Sequence, residues 1–192
     1  MGVSHLLRQG VMPVLVVLGA ILAAPHSVMA AECDPQLIGS GPTTTPDTVD
    51  AFHRNGVYGG TAINTPVPPG YTVYTNNGQI PFNLYGTWSS VTLPNADFLG
   101  WRNLQTYDPV YCSTVCNGIP GCKSFNTFYQ RAPKVEPSWN ASSPCYNPPS
   151  TVQIMCTFWD TPLNMSTIEQ NFGWPRGGFQ VAIVASKYYN KN

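Results

Sequence analysis

The sequence predicts an α+β protein in which a mostly antiparallel β-sheet packs against a short helix and is held by disulfide bonds. Three observations support this fold class. Short segments rich in β-branched and aromatic residues recur between glycine, proline or asparagine residues. Two segments carry helix start signals. The six cysteines are an even number that can pair completely.

Residues 1–30 have the pattern of a secretory signal peptide. A short start precedes an apolar run over residues 11–24, and Val28-Met29-Ala30 places small residues where a signal peptidase reads. The run is shorter than the roughly 20 residues that a membrane-spanning helix needs. We therefore expect cleavage after residue 30, secretion of residues 31–192, and no membrane anchor in the mature protein.

The composition argues against two classes of protein. Charged residues make up 9% of the chain, and nine Lys and Arg balance nine Asp and Glu, for a formal net charge of zero. A nucleic-acid binder needs a basic surface to neutralise phosphates, so nucleic acid is not expected as a partner. Apolar residues make up 43%, which also argues against charge-driven disorder.

The chain divides near residue 70. Residues 31–69 are rich in Thr, Pro and Gly, a composition that favours extended and turn conformations, and we interpret them as an N-terminal arm with a short helix near 48–54. Residues 70–192 are interpreted as one folded domain. Its expected strands are 71–74, 90–93, 122–129, 151–159 and 179–185, and a capping-box pattern predicts a second short helix from 166.

A short helix is predicted to begin after Asp108. Asp108 is a typical N-cap residue, Pro109 suits the first helical position, and Asn117-Gly118 provides a stop signal. Cys112 and Cys116 are four residues apart and therefore share one face of this helix.

The cysteines are expected to form three disulfide bonds, because an export pathway is oxidising. Cys156 lies on the most apolar face of the expected strand 151–159, which favours a Cys112–Cys156 bridge from helix to sheet. Cys116–Cys122 would close a tight local loop, and Cys33–Cys145 follows by elimination. Zinc ligation by Cys112, Cys116 and Cys122 is the alternative, but their spacing is wider than that of usual zinc pairs.

The proline-rich residues 130–150 are expected to form a long, rigid surface loop tethered by Cys145. Trp139 and the glycosylation sequon Asn140-Ala-Ser142 lie in this loop, and a second sequon begins at Asn164. Secretion would make both asparagines candidates for N-glycosylation.

Five segments carry a resemblance to a known family. They are Tyr107-Asp108 before Cys112, Cys122-Lys-Ser-Phe-Asn126, Pro148-Pro-Ser-Thr151, Cys156-Thr-Phe-Trp159 and Phe179-Gln-Val-Ala-Ile183. In these segments the chain resembles the PAN/apple superfamily of secreted modules, and more closely a group of fungal secreted proteins with an apple-like domain. The resemblance implies an antiparallel sheet cradling one helix, with helix-to-strand disulfide bonds. It also implies binding of proteins or sugars through variable surfaces.

Candidate catalytic residues are few. His53 is the single histidine of residues 31–192 and is interpreted as a surface residue, and no Gly-x-Ser-x-Gly elbow is present. Glycoside hydrolysis would need two positioned carboxyl groups. The candidates are Asp97, Asp108, Glu136, Asp160 and Glu169, of which most suit caps or turns. We expect no enzymatic activity, no metal site and no cofactor.

The sequence favours a secreted binding module that recognises carbohydrate or protein at a cell surface or cell wall. Trp and Tyr side chains can stack on sugars or anchor protein contacts. Trp139, Trp174, Tyr188 and Tyr189 are the contact candidates because they lie in loop or terminal positions. The alternatives are a structural cell-wall glycoprotein without a specific ligand and a carboxylate-based glycoside hydrolase.

Overall fold

A computed structural model describes residues 31–74, 98–163 and 173–192. Six predicted features fall outside these residues: the signal peptide 1–30, the strand 90–93, the helix from residue 166, the sequon at Asn164 and the candidate carboxylates Asp97 and Glu169. None of the helices in the described ranges is long and apolar enough to cross a membrane.

The described residues form three helices and seven strands. They are α1 Val49–Arg54, α2 Gly56–Asn64, β1 Tyr71–Val73, β2 Phe98–Leu104, α3 Pro109–Gly118, β3 Ser124–Pro133, β4 Ser150–Trp159, β5 Pro175–Arg176, β6 Phe179–Gln180 and β7 Ala182–Lys191. Five strands make one sheet in the order β1-β7-β3-β4-β2, and each neighbouring pair is antiparallel. β5 and β6 pair separately. The α+β class with a mainly antiparallel sheet is confirmed.

Helix α3 forms where the sequence predicts it. The Asp108 carboxylate accepts a hydrogen bond from the backbone N–H of Tyr111 at 3.0 Å, which satisfies one of the unpaired donors of the first turn. Pro109 begins the helix, and Gly118 is its last residue. The fixed start orients the helix so that Cys112 and Cys116 are both fully buried against the sheet.

Three disulfide bonds fix the fold, and their pairing is the one that the sequence favours. Cys112–Cys156 joins α3 to β4, and Cys116–Cys122 closes the loop after α3. Cys33–Cys145 ties the start of the described chain to the loop between β3 and β4. No cysteine of the chain is left as a free thiol.

The hydrophobic core lies on the α3 side of the sheet. Side chains alternate across a strand, and Val152, Ile154, Cys156 and Phe158 of β4 all enter this core. Aromatic rings fill much of the space between sheet and helices, and Phe125 stacks on Tyr189 with 4.7 Å between ring centroids. Such rings bury large apolar areas and reduce the need for charged surface interactions.

Residues 31–69 contribute to the same core. α1 forms close to the expected range 48–54, whereas the sequence did not predict α2. Phe52, Tyr58 and Ala62 from these helices are buried in the core, and the Tyr58 ring lies 4.7 Å from that of Tyr129 on β3. Both helices contact β7. The helices of this segment therefore pack over β7, whereas α3 packs over β3 and β4.

Candidate functional site

A groove runs over the face of the sheet opposite α3. The register places Trp101 of β2 beside Thr157 of β4, and Asn103 beside Met155, all on this second face. The groove has a volume of about 430 Å³. This volume lies in the range of small-molecule sites.

Three aromatic side chains make the groove unusually apolar for a surface. Trp101 and Phe98 are each 50% exposed, and Trp174 is 37% exposed. The Phe98 ring rests on the buried ring of Trp159, with 5.1 Å between centroids. Exposed aromatic residues gathered at one place mark an interaction surface more often than scattered ones do.

Neutral amide and hydroxyl groups lie between the aromatic rings. Gln130 donates to the side-chain oxygen of Gln153 at 3.4 Å, and Gln153 donates to the backbone oxygen of Leu37 at 2.9 Å. Thr157 donates its hydroxyl proton to the Asn126 side chain. These bonds orient the groove's polar groups in advance, so less conformational entropy would be lost when a ligand binds.

Two polar atoms of the groove residues lack a partner. The side-chain oxygen of Asn103 and the indole N–H of Trp159 are enclosed and have no hydrogen-bond partner among the described residues. A buried polar atom without a partner typically costs about 1–3 kcal/mol. One acceptor and one donor of groove-lining residues are therefore buried without a hydrogen bond in the described structure.

The one charged side chain that lines the groove in the described part of the chain is neutralised. Arg176 makes an ion pair with Glu136 and also donates to the side-chain oxygen of Gln36 at 3.0 Å. Glu136 does not line the groove. The described groove is therefore close to electrically neutral.

The sequence-predicted contact residues occupy different places. Trp174 lies in the groove, and Trp139 is 76% exposed on the β3–β4 loop, outside the groove. The prediction for Tyr188 and Tyr189 was wrong, because β7 continues to Lys191 and both side chains are buried. Burial also raises the pKa of both phenols above their ordinary value. These two tyrosines stabilise the sheet and do not form a contact surface.

The groove residues of β2 were missed by sequence reasoning. Trp101 and Asn103 lie on the groove face, and Arg102 and Leu104 lie on the other face. Each face therefore carries one apolar and one polar residue, so the segment lacks the apolar–polar alternation that predicts a strand. The register shifts between Phe98 and Gly100, and Gly100 has a φ of 122°, so the alternation breaks at the beginning of the strand. The local sequence of residues 98–104 therefore gave no periodic signal for this strand.

Three of the remaining candidate carboxylates lie in the described ranges, and each has a structural partner there. Asp108 caps α3, Glu136 pairs with Arg176, and Asp160 accepts from the Thr161 hydroxyl at 2.9 Å. Asp97 and Glu169 lie outside those ranges. No group of three or more His, Cys, Asp or Glu residues that could hold a metal ion occurs in the described part of the chain.

His53 is more enclosed than expected for a surface residue. It follows the buried Phe52 in α1, and its Nε2 atom is buried without a hydrogen-bond partner in the described structure. Burial lowers the pKa of His53 below its ordinary value, although nearby Asp50 acts in the opposite direction.

The chain matches no protein-family model, no curated protein and no solved structure. The chemistry of the groove is therefore the basis for assigning a function.

Proposed function

We propose that this protein is a secreted, non-catalytic binding module with a PAN/apple-like domain, and that it recognises neutral carbohydrate at a cell surface or wall. The observation that supports the proposal best is the combination of exposed aromatic rings with neutral amide and hydroxyl groups in one groove. Trp101, Phe98 and Trp174 supply the rings.

Sugar rings suit this combination of groups. The C–H bonds of a pyranose ring form an apolar face that can stack on an aromatic side chain, while the ring's hydroxyl groups point outward. Those hydroxyls both donate and accept hydrogen bonds, as do the Gln and Asn side chains along the groove. A ligand with one apolar face and a polar edge would satisfy both kinds of group.

The electrostatics favour a neutral glycan over an acidic one. Recognition of a carboxylate or sulfate usually relies on an arginine that is free to form paired hydrogen bonds. The Arg176 guanidinium already has Glu136 as its counter-charge. An anionic sugar would have to displace that carboxylate.

Binding without hydrolysis is favoured by the absence of carboxylates among the described residues that line the groove. Glycoside hydrolysis uses two carboxyl groups on either side of the scissile bond. Secretion is supported by the three disulfide bonds, because such bonds persist in oxidising compartments.

A glycan array probed with the purified secreted protein tests the proposal, followed by calorimetric titration with the best neutral ligand. Trp101→Ala should weaken binding about tenfold or more, since stacking on the ring is lost. Trp139→Ala is the matched control, because Trp139 is exposed but lies outside the groove.

Two results would contradict recognition of a neutral glycan in the groove. One is an array on which no neutral glycan binds, which would favour a structural wall glycoprotein. The other is an equal loss of affinity in both tryptophan variants. Turnover of a bound glycan would instead support the hydrolase alternative.

A further inference from the structure

The guanidinium of Arg176 is held by a two-pronged ion pair. Its Nε atom donates to Oε1 of Glu136 at 3.2 Å, and its Nη2 atom donates to Oε2 of the same carboxylate. Nη2 also donates to the side-chain oxygen of Gln36 at 3.0 Å. This contact uses one edge of the planar guanidinium and fixes its orientation. The Nη1 atom makes no hydrogen bond with the described residues, so its N–H groups remain free for a ligand.

Backbone hydrogen bonds position both members of this ion pair. The backbone oxygen of Glu136 accepts from the N–H of the disulfide-bonded Cys33 at 2.9 Å. On the other side, the N–H of Gly178 donates to the backbone oxygen of Ser138 at 3.0 Å, which connects the β5–β6 hairpin to the β3–β4 loop. Arg176 lies in β5 of this hairpin. Both charges are therefore carried by segments that are fixed to each other.

The two side chains contribute differently to the groove. Arg176 lines it with a side chain that is 36% exposed, whereas Glu136 is 19% exposed and does not line it. Without the carboxylate, the described lining would carry a positive charge. A guanidinium without a counter-charge binds carboxylate, sulfate or phosphate through paired hydrogen bonds. Glu136 thus occupies the edge of Arg176 that an anionic ligand would use.

We infer that Glu136 is a specificity-determining residue of the groove, because its carboxylate keeps Arg176 neutralised and thereby excludes anionic ligands. This inference rests on the proposed function and names the residue that sets the charge of the ligand. An oxyanion is repelled by Glu136 and has to displace it, whereas an uncharged hydroxyl or carbonyl oxygen can accept from Nη1 of Arg176. Specificity then comes partly from a penalty on the wrong ligand.

Titration with inorganic sulfate tests the inference without any glycan. Glu136→Gln removes the negative charge and keeps a side chain of the same shape that still accepts from Arg176. The Nε–H NMR signal of Arg176 should report sulfate binding that is about tenfold or more tighter in this variant than in the wild-type protein. Glu32→Gln is the matched control, because it changes the net charge equally at an exposed carboxylate that contacts Ser143. Its sulfate affinity should stay at the wild-type value.

The glycan array provides a second measurement. The Glu136→Gln variant should gain binding to sulfated glycans and to glycans that contain uronic acids. Adding Arg176→Gln to this variant should abolish both the array gain and the sulfate gain, since the cation is then missing. Thermal unfolding of each variant checks that the fold is retained, and Glu136→Ser provides a second uncharged side chain if Glu136→Gln is unstable.

The outcomes distinguish this inference from the proposed function. Equal sulfate affinity in the wild-type, Glu136→Gln and Glu32→Gln proteins overturns the inference and leaves the proposed function intact. A sulfate gain that persists after Arg176 is replaced does the same. A sulfate gain in Glu136→Gln that depends on Arg176, together with a wild-type protein that binds no neutral glycan, supports the exclusion of anions by Glu136 and overturns the proposed function.

Discussion

The guanidinium of Arg131 lies 2.9 Å from the carboxylate of Asp47, and this ion pair joins β3 to the N-terminal segment. Arg131 is buried, donates to the backbone oxygen of Gln180 at 2.8 Å, and lies 4.2 Å from the centre of the Phe179 ring. Asp47 also accepts from the backbone N–H of Ser150 at 2.8 Å. One carboxylate therefore connects the N-terminal segment with both β3 and β4.

Asp47→Ala is expected to lower the free energy of unfolding by about 2–3 kcal/mol, because it leaves the buried Arg131 without its counter-charge. Urea unfolding measures the effect. Asp50→Ala is the matched control, since Asp50 pairs with Arg54 on the surface and such pairs contribute under about 1 kcal/mol. Equal losses of unfolding free energy in the two variants would contradict a stabilising role for the ion pair between Asp47 and the buried Arg131.

Low pH should weaken the contacts that the Asp47 carboxylate makes with Arg131 and Ser150. Burial acts to raise the pKa of Asp47, but hydrogen bonds from Ser150 and the Arg131 guanidinium outweigh it and hold the pKa below its ordinary value. A carboxyl with a lowered pKa stabilises the fold above its unfolded pKa of about 4, and this contribution is lost as the pH falls through the folded value.

The urea midpoint should therefore fall between about pH 5 and about pH 2, and it should fall less in Asp47→Asn, which cannot titrate at this position. Measurement of both proteins over this pH range gives the comparison. Identical pH profiles would show that other carboxyl groups account for the acid sensitivity.

The disulfide bonds should contribute unequally to the free energy of unfolding. Cys33–Cys145 links residues 112 apart in sequence, and Cys116–Cys122 links residues only 6 apart. Loop entropy then predicts a loss of about 5 kcal/mol when the first is replaced by two alanines and about 2 kcal/mol for the second. Denaturant unfolding of the two double variants checks the order, and a reversed order would contradict it.

Mass mapping of the unreduced protein should find no free thiol.

Asn140 is expected to carry an N-linked glycan when the protein passes through a eukaryotic secretory pathway. Its side chain is exposed, and its side-chain oxygen accepts from the backbone N–H of Ser142 at 3.0 Å, so the sequon lies on an accessible turn. Enzymatic deglycosylation should lower the mass, and Asn140→Gln or Ser142→Ala should abolish the Asn140 glycopeptide. Ser143→Ala, outside the sequon, should retain it.

Local signals made part of the fold predictable from the sequence. Asp108 and Pro109 predicted the start of α3, and the alternation around Cys156 predicted β4 and the face of the sheet that receives the disulfide bond. Each of these signals depends only on neighbouring residues, and the structure contains the corresponding contacts.

Other features depend on tertiary contacts that no local pattern reveals. α2 contains glycines, which are poor helix formers, and it is stabilised by the Asn55 cap and by burial of Tyr58 and Ala62. Trp101 was missed because residues 98–104 of β2 do not alternate apolar and polar side chains. Only Trp174 of the groove's exposed rings was among the contact residues predicted from the sequence.

Because side chains alternate across β2 and β4, the residues that build the core and the residues that line the groove lie on opposite faces of the sheet. Cys156 and Phe158 face the core, and substitutions there would affect folding. Trp101, Gln153 and Thr157 face the groove, on the side of the sheet opposite the core. Under the proposed function, substitutions at the exposed Trp101 should change what the groove binds at nearly constant stability, whereas substitutions at Gln153 and Thr157 should also cost stability, because these side chains donate to Leu37 and Asn126.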